Sequence, residues 1–482
     1  MSARTRSAHR WGRRLTWLLA IAAVALLAAW QAPRLFPAGG DAAARLQVPV
    51  TPALLARGES LARMGDCVAC HSAPGGKPFA GGLPLASPIG VIYSTNITPD
   101  PDTGIGDYSL GDFERAVRRG VTPDGTPLYP AMPFPSYARV SDADIAALYA
   151  YFQHGVAPVR QDNRKSDIPW PLSLRWPLAY WRALFAPTPV QAVARAPAYA
   201  DPVVARGAYL VEGLGHCGAC HSPRALTLQE KALHDDPARR FLGGGSADGW
   251  VAPSLRGEAL TGLGGMSEDD IVGFLGTGRT DTTAAFGGMA DVVQHSTQYV
   301  GEDDLRAIAR YLKSLAPARE EAPFAADPAA AKALRGGDAS ARGAQVYVDS
   351  CATCHRTHGG GYAQVYPALA GNPAVNSDDP ASLVHIVLNG AIMPSTRGAP
   401  TQFAMPGFGD RLSDAEIADV VSFIRGSWGN RGAAVSAAEV RRLRAKLPPQ
   451  VPIQGVIDPR TAADLDAAVP AAGTGEVPAA RH

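Results

Sequence analysis

Apolar residues recur at helical spacing in several separate stretches of this 482-residue chain. Three of these stretches have an acidic first turn and apolar positions three and four residues apart, and they cover residues 141–152, 301–312 and 413–424. The first and third begin Ser-Asp-x-Asp/Glu, so that the serine and the acidic side chain three positions later can cap the helix reciprocally. The pattern predicts three amphipathic helices, each closing one unit of a repeat.

Two further helices are predicted ahead of each closing helix. The earlier one begins Arg-Gly, at residues 57, 206 and 342, and the later one ends at a glycine, at residues 120, 278 and 390. Three helices per unit and few strand signals predict an all-α fold class. We therefore expect three tandem small domains over residues 45–160, 201–316 and 337–430, with linkers at 161–200 and 317–336.

The chemistry of the chain is concentrated in its cysteines. All six fall in three copies of the motif C-x-x-C-H: Cys67, Cys70 and His71; Cys217, Cys220 and His221; Cys351, Cys354 and His355. Two thiols at this spacing can bond the two vinyl groups of one porphyrin while the next imidazole reaches its iron. The motifs predict three covalently attached haem c groups.

Two other uses of C-x-x-C remain open from the residues alone. A redox dithiol is expected in a βαβ setting and has no need of the histidine. A zinc ribbon usually places its two pairs about 15–20 residues apart, whereas the first cysteines here are 150 (67 to 217) and 134 (217 to 351) residues apart. The histidine thus counts against the dithiol, and the spacing counts against the zinc ribbon.

A small helical domain around a haem needs a second axial ligand, which a loop methionine supplies in Met/His cytochromes. Met132, Met289 and Met405 each follow the glycine that ends the middle helix and precede the closing helix. We predict these three as ligands. Met393 lies only three residues after Gly390 (390 to 393) and is the less favoured candidate, and His295 is the substitute should Met289 not bind.

The N-terminal residues predict export from the cytoplasm. Several arginines precede an apolar run over residues 15–30, which is typical of a signal peptide or a retained anchor within residues 1–44. A second membrane signal lies in the linker 161–200, where Trp170, Trp176 and Trp181 alternate with leucine and arginine. Such a stretch suits the headgroup region of a membrane, the alternative being a linker packed on a neighbouring domain. Residues 431–482 are Ala/Pro-rich and predict a mobile or partner-bound tail.

Charge and the remaining motifs exclude other functions. The chain has 45 basic and 44 acidic residues, with no basic stripe suited to nucleic acid. No Ser/His/Asp order, phosphate loop or carboxylate pair forms a catalytic constellation, so we predict no catalytic residues.

The haem motifs and several loops together resemble one known family. The loops are AGGLPLASPIG at residues 80–90, YSTNITP at 93–99, AFGGMADVV at 285–293 and FAMPGF at 403–408. With the three C-x-x-C-H motifs, they closely resemble the trihaem cytochrome c subunit of bacterial membrane-bound periplasmic dehydrogenases, which include alcohol, gluconate and sorbitol dehydrogenases. The resemblance covers about residues 46–430.

The resemblance implies a role in electron transfer. The family takes electrons from a separate catalytic subunit that carries flavin or pyrroloquinoline quinone (PQQ) and delivers them to ubiquinone, at the periplasmic face of the inner membrane. It implies the axial pairs His71/Met132, His221/Met289 and His355/Met405, and as partners the catalytic subunit, a small third subunit, ubiquinone and the membrane surface. Two alternatives remain: a cytochrome c carrier that feeds a terminal oxidase, and a stand-alone haem enzyme.

Overall fold

The computed structural model describes residues 48–247 and 249–447, together with positions 16–21, 24, 27, 28, 30, 31, 39–41 and 45. Most of the predicted signal peptide or anchor, residues 1–44, and the last part of the tail, residues 448–482, lie outside the described residues. Among the described residues, no helix combines the length and apolar character needed to cross a bilayer.

The first unit and the linker after it contain seven of the helices. They are α1 (Pro52–Met64), α2 (Cys67–Cys70), α3 (Leu110–Arg119), α4 (Phe134–Tyr137), α5 (Asp142–His154), α6 (Leu178–Phe185) and α7 (Pro189–Arg195). Strands β1 (Pro84–Ser87) and β2 (Gly90–Tyr93) pair antiparallel, with Pro84 opposite Tyr93.

The second unit repeats this order. Its helices are α8 (Pro202–Tyr209), a π-helical turn (Leu210–Leu214), α9 (Gly218–His221), α10 (Glu268–Thr277), α11 (Gly288–His295), a 3₁₀ turn (Thr297–Tyr299) and α12 (Glu302–Ser314). Strands β3 (Gly245–Ala247) and β4 (Trp250–Ala252) form its antiparallel hairpin.

The third unit has shorter first helices, and its hairpin follows the middle helix instead of preceding it. Its helices are α13 (Ala329–Arg335), α14 (Ala344–Ser350), α15 (Ala352–His355), α16 (Pro373–Asn376), α17 (Ala381–Asn389), α18 (Asp414–Gly426) and α19 (Ala437–Arg444). Strands β5 (Ala391–Ile392) and β6 (Ala404–Met405) pair antiparallel. The fold is thus mostly helical, as predicted. The small sheets in the described part of the chain qualify the all-α class.

The Arg-Gly pairs mark a helix crossing in all three units, and a helix start only in the third, where Gly343 is the N-cap of α14. Arg57 and Gly58 lie inside α1, which begins at Pro52. Gly58 meets the main-chain oxygen of Ala147 in α5, and Arg57 pairs with Asp144 in the same helix at 2.6 Å. The other two units repeat both contacts. In the second unit Gly207 meets Ala307 and Arg206 pairs with Asp304. In the third unit Gly343 and Arg342 both contact Asp419. In each unit the glycine lets the first helix approach the closing helix closely.

The helix caps agree only in part with the predicted capping boxes. In α18 the Ser413 hydroxyl and the Glu416 carboxylate cap the helix reciprocally, as expected. In α5 only half of the box forms, with Ser141 accepting from the amide of Asp144. The Asp144 carboxylate is used elsewhere, because it accepts hydrogen bonds from Arg57 and from the Tyr209 hydroxyl of the second unit.

The first two units share one hydrophobic core. This core runs without interruption from Leu61 in α1 to Leu315 after α12, and a second core contains only residues 331–440 of the third unit. Leu214 of the second unit contacts Gly65 of the first, and Met64 of the first contacts Gly215 of the second. The boundary predicted between residues 160 and 201 therefore does not separate two independent cores.

A buried ion pair also joins the first two units. Arg139, after α4, pairs with Glu212 in the π-helical turn, and the Glu212 side chain is fully buried. The other carboxylate oxygen of Glu212 accepts hydrogen bonds from the hydroxyls of Tyr311, at 2.5 Å, and Tyr199, at 3.1 Å. A buried charge of this kind is tolerated only when it is paired and hydrogen-bonded.

The structure extends the third unit beyond its predicted limits at both ends. Within the predicted linker 317–336, helix α13 buries Ala331 and Leu334 in the second core. Within the predicted tail 431–482, Val435 and Val440 are also buried in that core. Residues 431–447 pack through a few apolar side chains. These are too widely spaced to stand out from the Ala/Pro-rich background, so the sequence pattern did not reveal the packing.

The Trp-rich linker is partly packed and partly exposed. The Trp181 indole donates a hydrogen bond to the main-chain oxygen of Thr227 at 2.8 Å and lies 6.0 Å from the Phe134 ring. Trp170, Leu172 and Leu184 are exposed. The linker thus contacts both of the first two units and presents apolar side chains on its outer side.

Candidate functional site

Each C-x-x-C-H motif folds into a single helical turn. The turn is closed by a hydrogen bond from the histidine amide to the carbonyl of the first cysteine, with lengths of 2.9 Å for His71, 3.0 Å for His221 and 2.9 Å for His355. Residues four apart on a helical turn point to the same side. Each turn therefore places the first thiol and the imidazole on one face, as attachment to a single porphyrin requires.

The three motif histidines are held in the same way. Each Nδ1 lies within hydrogen-bond distance of a main-chain carbonyl oxygen that cannot donate: Thr95 for His71 at 2.7 Å, Pro253 for His221 at 2.8 Å and Pro367 for His355 at 3.0 Å. Nδ1 must therefore carry the proton, which leaves the Nε2 lone pair free. This arrangement, with Nδ1 bound to a carbonyl, orients an imidazole for binding a metal through Nε2.

Burial favours the neutral form of the motif histidines and of the first cysteine in each motif. It lowers the pKa of His71, His221 and His355, so each imidazole stays neutral and available as a ligand. It raises the pKa of the Cys67, Cys217 and Cys351 thiols to about 12. A redox dithiol and a zinc ligand both need a thiolate. The raised thiol pKa disfavours a free redox dithiol, whereas zinc would itself deprotonate the thiols that bind it.

A cleft in the third unit is lined by the residues predicted to hold one porphyrin. It contains about 780 Å³ of empty space, part of it open to solvent, and its walls are mostly apolar. Cys351, Cys354 and His355 line one side, and Met393 and Met405 line another.

The third unit does not form this cleft alone. Ala284, Ala285 and Phe286, which precede α11 of the second unit, supply part of its wall. Trp250 of β4 also stacks on His385 of α17, with ring centroids 3.8 Å apart. The second and third units therefore meet beside the third motif.

The structure brings Met393 and Met405 to the same cleft, although they differ in setting. Met405 lies in β6 opposite Ala391, and its side chain is half-buried. Met393 follows β5 and is buried. Its amide donates a hydrogen bond to the carbonyl oxygen of Phe403 at 3.0 Å. The sequence favoured Met405 over Met393 as a ligand because Met393 lies so close to Gly390. Spacing along the chain could not reveal the strand pairing that brings residues 393 and 405 together.

The other two predicted methionines have different surroundings. Met132 lies in a loop after α3, half-buried against the shared core, as expected of a loop ligand. Met289 instead lies in the first turn of α11, so the expected loop is a helix at this point. His295 ends the same helix, and α11 packs against α2 of the first unit.

The comparisons with known proteins agree with this geometry. A family model described as cytochrome c matches residues 55–155 and 340–428. The structure and this match define a c-type cytochrome, in which haem c is bound covalently.

Relatives that match over most of their length narrow the class of cytochrome further. The chain is 62% identical over 397 residues to the gluconate 2-dehydrogenase cytochrome c subunit of Pantoea cypripedii, covering 81% of this chain and 90% of that protein. It is 53% identical over 396 residues to the alcohol dehydrogenase (quinone) cytochrome c subunit of Gluconobacter oxydans, covering 81% and 82%. The chain belongs to the family of cytochrome c subunits of dehydrogenases, which supports a role in electron transfer.

Some residues of the site could not be found from the sequence. The carbonyls of Thr95, Pro253 and Pro367 are main-chain groups, and they follow their histidines at 24 (71 to 95), 32 (221 to 253) and 12 (355 to 367) residues. The spacing does not repeat, and the residue type is shared only by Pro253 and Pro367. Only the folded loops show that all three units use the same support.

Proposed function

We propose that this chain is a trihaem electron-transfer subunit that passes electrons from a periplasmic dehydrogenase catalytic subunit, carrying flavin or PQQ, to ubiquinone in the membrane. The observation that carries the proposal is that the same arrangement of haem-binding residues occurs three times. In all three motifs the thiols lie beside an imidazole whose Nδ1 is tied to a carbonyl oxygen and whose Nε2 is free.

In this proposal each haem lies between an imidazole and a thioether. The axial pairs are His71/Met132, His221/Met289 and His355/Met405. A haem with both axial positions filled carries one electron at a time and offers no open position to a substrate. The chain's own residues orient the ligands, exclude water with apolar walls and fix the spacing of the three groups.

The proposed partner and location follow from the relatives and the sequence. Identity of 62% to a gluconate dehydrogenase subunit and of 53% to an alcohol dehydrogenase (quinone) subunit supports a catalytic partner of that kind and a quinone acceptor. The N-terminal residues support export to the periplasm. The exposed apolar residues of the linker 161–200 support attachment to the membrane surface.

Haem counting in cysteine variants tests the cofactor part of the proposal. The chain is expressed where haem c is attached, and three double variants are made: C67A/C70A, C217A/C220A and C351A/C354A. A pyridine haemochrome assay should give three haems for the parent chain and two for each variant. Peptides from each motif should also carry haem after denaturation. A parent chain with fewer than three haems would contradict the proposal.

Reconstitution with the catalytic subunit tests the role. The complex in vesicles should reduce ubiquinone when the dehydrogenase substrate is added, and the purified subunit should have only low-spin haems. High-spin haem that binds small ligands would instead favour a stand-alone haem enzyme. Recovery without detergent, together with transfer to an oxidase and none to quinone, would favour the soluble carrier.

A further inference from the structure

A buried arginine of the second unit reaches into the third unit. Arg279 follows Gly278, the cap residue after α10, and only 5% of its surface is exposed. Its main chain forms a β-bridge with Ala284, which lines the cleft of the third unit. Its guanidinium carbon lies 5.4 Å from the centre of the Phe403 ring, and Phe403 lines the same cleft. The charge of Arg279 thus lies behind the cleft wall, against a ring that lines the space of the third haem proposed above.

The guanidinium of Arg279 donates to neutral main-chain groups of the third unit. Nη2 donates to the carbonyl oxygen of Thr401 at 2.8 Å, and Nη1 donates to that of Gln364 at 3.3 Å. The carbonyl oxygens of Pro394 and Ala399 lie 3.5 and 3.4 Å from Nη2. Three of these carbonyls belong to the loop that joins β5 and β6. Arg279 therefore ties the second unit to the loop between the strands that line the third cleft.

The positive charge of Arg279 has no counter-ion among the described residues. Its Nε is buried and has no hydrogen-bond partner in that part of the chain. Asp281, two residues further on (279 to 281), accepts from the side-chain amide of Gln364 at 3.0 Å instead. Burial lowers the pKa of Arg279, and no acidic side chain opposes this in the part of the chain that the structure describes. An arginine stays protonated even so. Its field is therefore not cancelled by a neighbouring charge.

Arg425 of α18 is buried in a similar way but differs in its surrounding charges. Its guanidinium is fully buried and also donates to main-chain carbonyl oxygens. Burial lowers the pKa of Arg425, and the negative charges of three nearby acidic residues oppose this: Asp378, Glu439 and Asp379. Arg425 thus shares the burial and the neutral hydrogen-bond partners of Arg279 without its uncancelled charge, which makes it a matched control.

We propose that Arg279 raises the reduction potential of the third haem by holding an uncancelled positive charge behind the wall of its cleft. The assignment rests on the proposed function, which places a haem at the third motif. Reduction adds one electron to the iron and makes or breaks no bond, so a fixed cation nearby stabilises the reduced form relative to the oxidised form. Burial strengthens the effect, because charges interact more strongly where the dielectric constant is low. Since Arg279 belongs to the second unit, the potential of the third haem depends on its neighbour.

Two substitutions separate the charge of Arg279 from its support of the loop. Arg279→Gln removes the charge and keeps an N–H donor for the loop carbonyls. Arg279→Lys keeps the charge and loses the planar guanidinium that bonds several carbonyls at once. If the charge sets the potential, the glutamine variant lowers the potential and the lysine variant retains most of it. If only the loop matters, the two variants change the potential equally.

Redox titration of the full chain, followed by electron paramagnetic resonance, tests the assignment without enzyme turnover. The signal of the third haem is the one that C351A/C354A lacks. At a fixed applied potential, Arg279→Gln should shift the oxidised-to-reduced ratio of this haem on the order of tenfold towards the oxidised form. That shift lowers the midpoint potential by about 59 mV for a one-electron couple. Arg279→Lys should keep most of the parent midpoint potential. Arg425→Gln should lower stability and leave the midpoint potential of the third haem nearly unchanged.

Haem counting separates failure of this assignment from failure of the proposed function. With three haems bound, an unchanged midpoint potential in Arg279→Gln would overturn the assignment and leave the proposed function standing. Equal lowering by Arg279→Gln and Arg279→Lys, or by Arg279→Gln and Arg425→Gln, would do the same. Should Arg279→Gln bind fewer than three haems, Arg279→Lys decides: a midpoint potential like that of the parent supports the assignment, and a lowered one overturns it. A parent chain without haem at the third motif would overturn both.

Discussion

Gly207 lies so close to the main-chain oxygen of Ala307 that a Cβ atom on Gly207 would stand 2.0 Å from it. The first and third units have the same contact, with 2.1 Å from Gly58 to the oxygen of Ala147 and 2.1 Å from Gly343 to that of Asp419. Backbone atoms cannot move aside as a flexible side chain can. The crossing of the first and closing helices therefore depends on the absence of a side chain at one position in each unit.

Gly207→Ala should destabilise the protein. The added methyl group forces α8 away from α12, and overpacking of this kind costs about 1–3 kcal/mol in the free energy of unfolding. Gly273→Ala is the matched control, because Gly273 also lies in a helix and a Cβ there meets no atom within 4 Å. Denaturant unfolding should show the loss for residue 207 and a neutral or stabilising effect for residue 273. Equal effects would contradict the packing argument.

The pair between Arg139 and Glu212 predicts strong coupling between the first two units. Arg139→Met leaves the buried Glu212 carboxylate without its counter-ion, which should cost about 3–5 kcal/mol in the free energy of unfolding. The double variant Arg139→Met/Glu212→Met removes both charges and should recover much of this loss. A double-mutant cycle by denaturant unfolding measures the coupling. Additive effects of the two single variants would show that the pair contributes little.

The two methionines of the third cleft can be told apart by spectroscopy. Met405→Ala should remove one low-spin Met/His signal from the electron paramagnetic resonance spectrum of the oxidised protein, because we propose its thioether as the ligand opposite His355. Met393→Ala should keep that signal and only lower stability, since it removes a buried side chain from the same wall. The opposite result would assign the ligand to Met393.

Membrane attachment should depend on the exposed side chains of the linker rather than on all of its tryptophans. The triple variant Trp170→Ser, Leu184→Ser and Val190→Ser changes only exposed residues, so we expect the complex to fold and to stop sedimenting with vesicles. The control is the triple variant Val203→Ser, Val348→Ser and Tyr362→Ser, also at exposed positions. Trp181→Ser, by contrast, should lower stability through its lost contacts with Thr227 and Phe134. Unchanged sedimentation of the first variant would contradict this expectation.

Glu230 should make stability depend on pH in a defined direction. Burial raises its pKa from 4.5 to about 7, so the folded state favours the protonated carboxyl group. The stabilisation from this preference is complete below pH 4.5 and is lost as the pH rises through 7. Glu230→Gln stays neutral, so it should gain stability relative to the parent protein between pH 5 and 8, on the order of 2 kcal/mol. Thermal unfolding at several pH values measures the difference, and parallel profiles would contradict the raised pKa.

The features that the sequence predicted are those carried by local chemistry. The closing helices and the Ser413 cap each depend on residues a few positions apart, and the structure contains them. The features that it missed depend on distant residues. The Asp144 side chain binds Arg57 and Tyr209 instead of capping its own helix, and Met289 lies in a helix that packs against the first unit.

The same distinction explains the boundaries between units. Composition indicated linkers wherever alanine and proline were frequent, and it had no information about which apolar residues they would meet. Val440 follows such a stretch and yet is fully buried in the third unit. Burial is a property of the folded chain, so an apolar residue in a low-complexity stretch cannot be assigned to a core without its partners.

The wall that Ala284, Ala285 and Phe286 supply to the third cleft limits how this protein can be divided. A fragment cut between residues 316 and 329 would carry the third motif with part of its cleft wall missing, and water would enter the cleft there. Such a fragment could not stand in for the third unit in redox measurements, and grafting it onto another protein would require transplanting residues 284–286 of its neighbour as well.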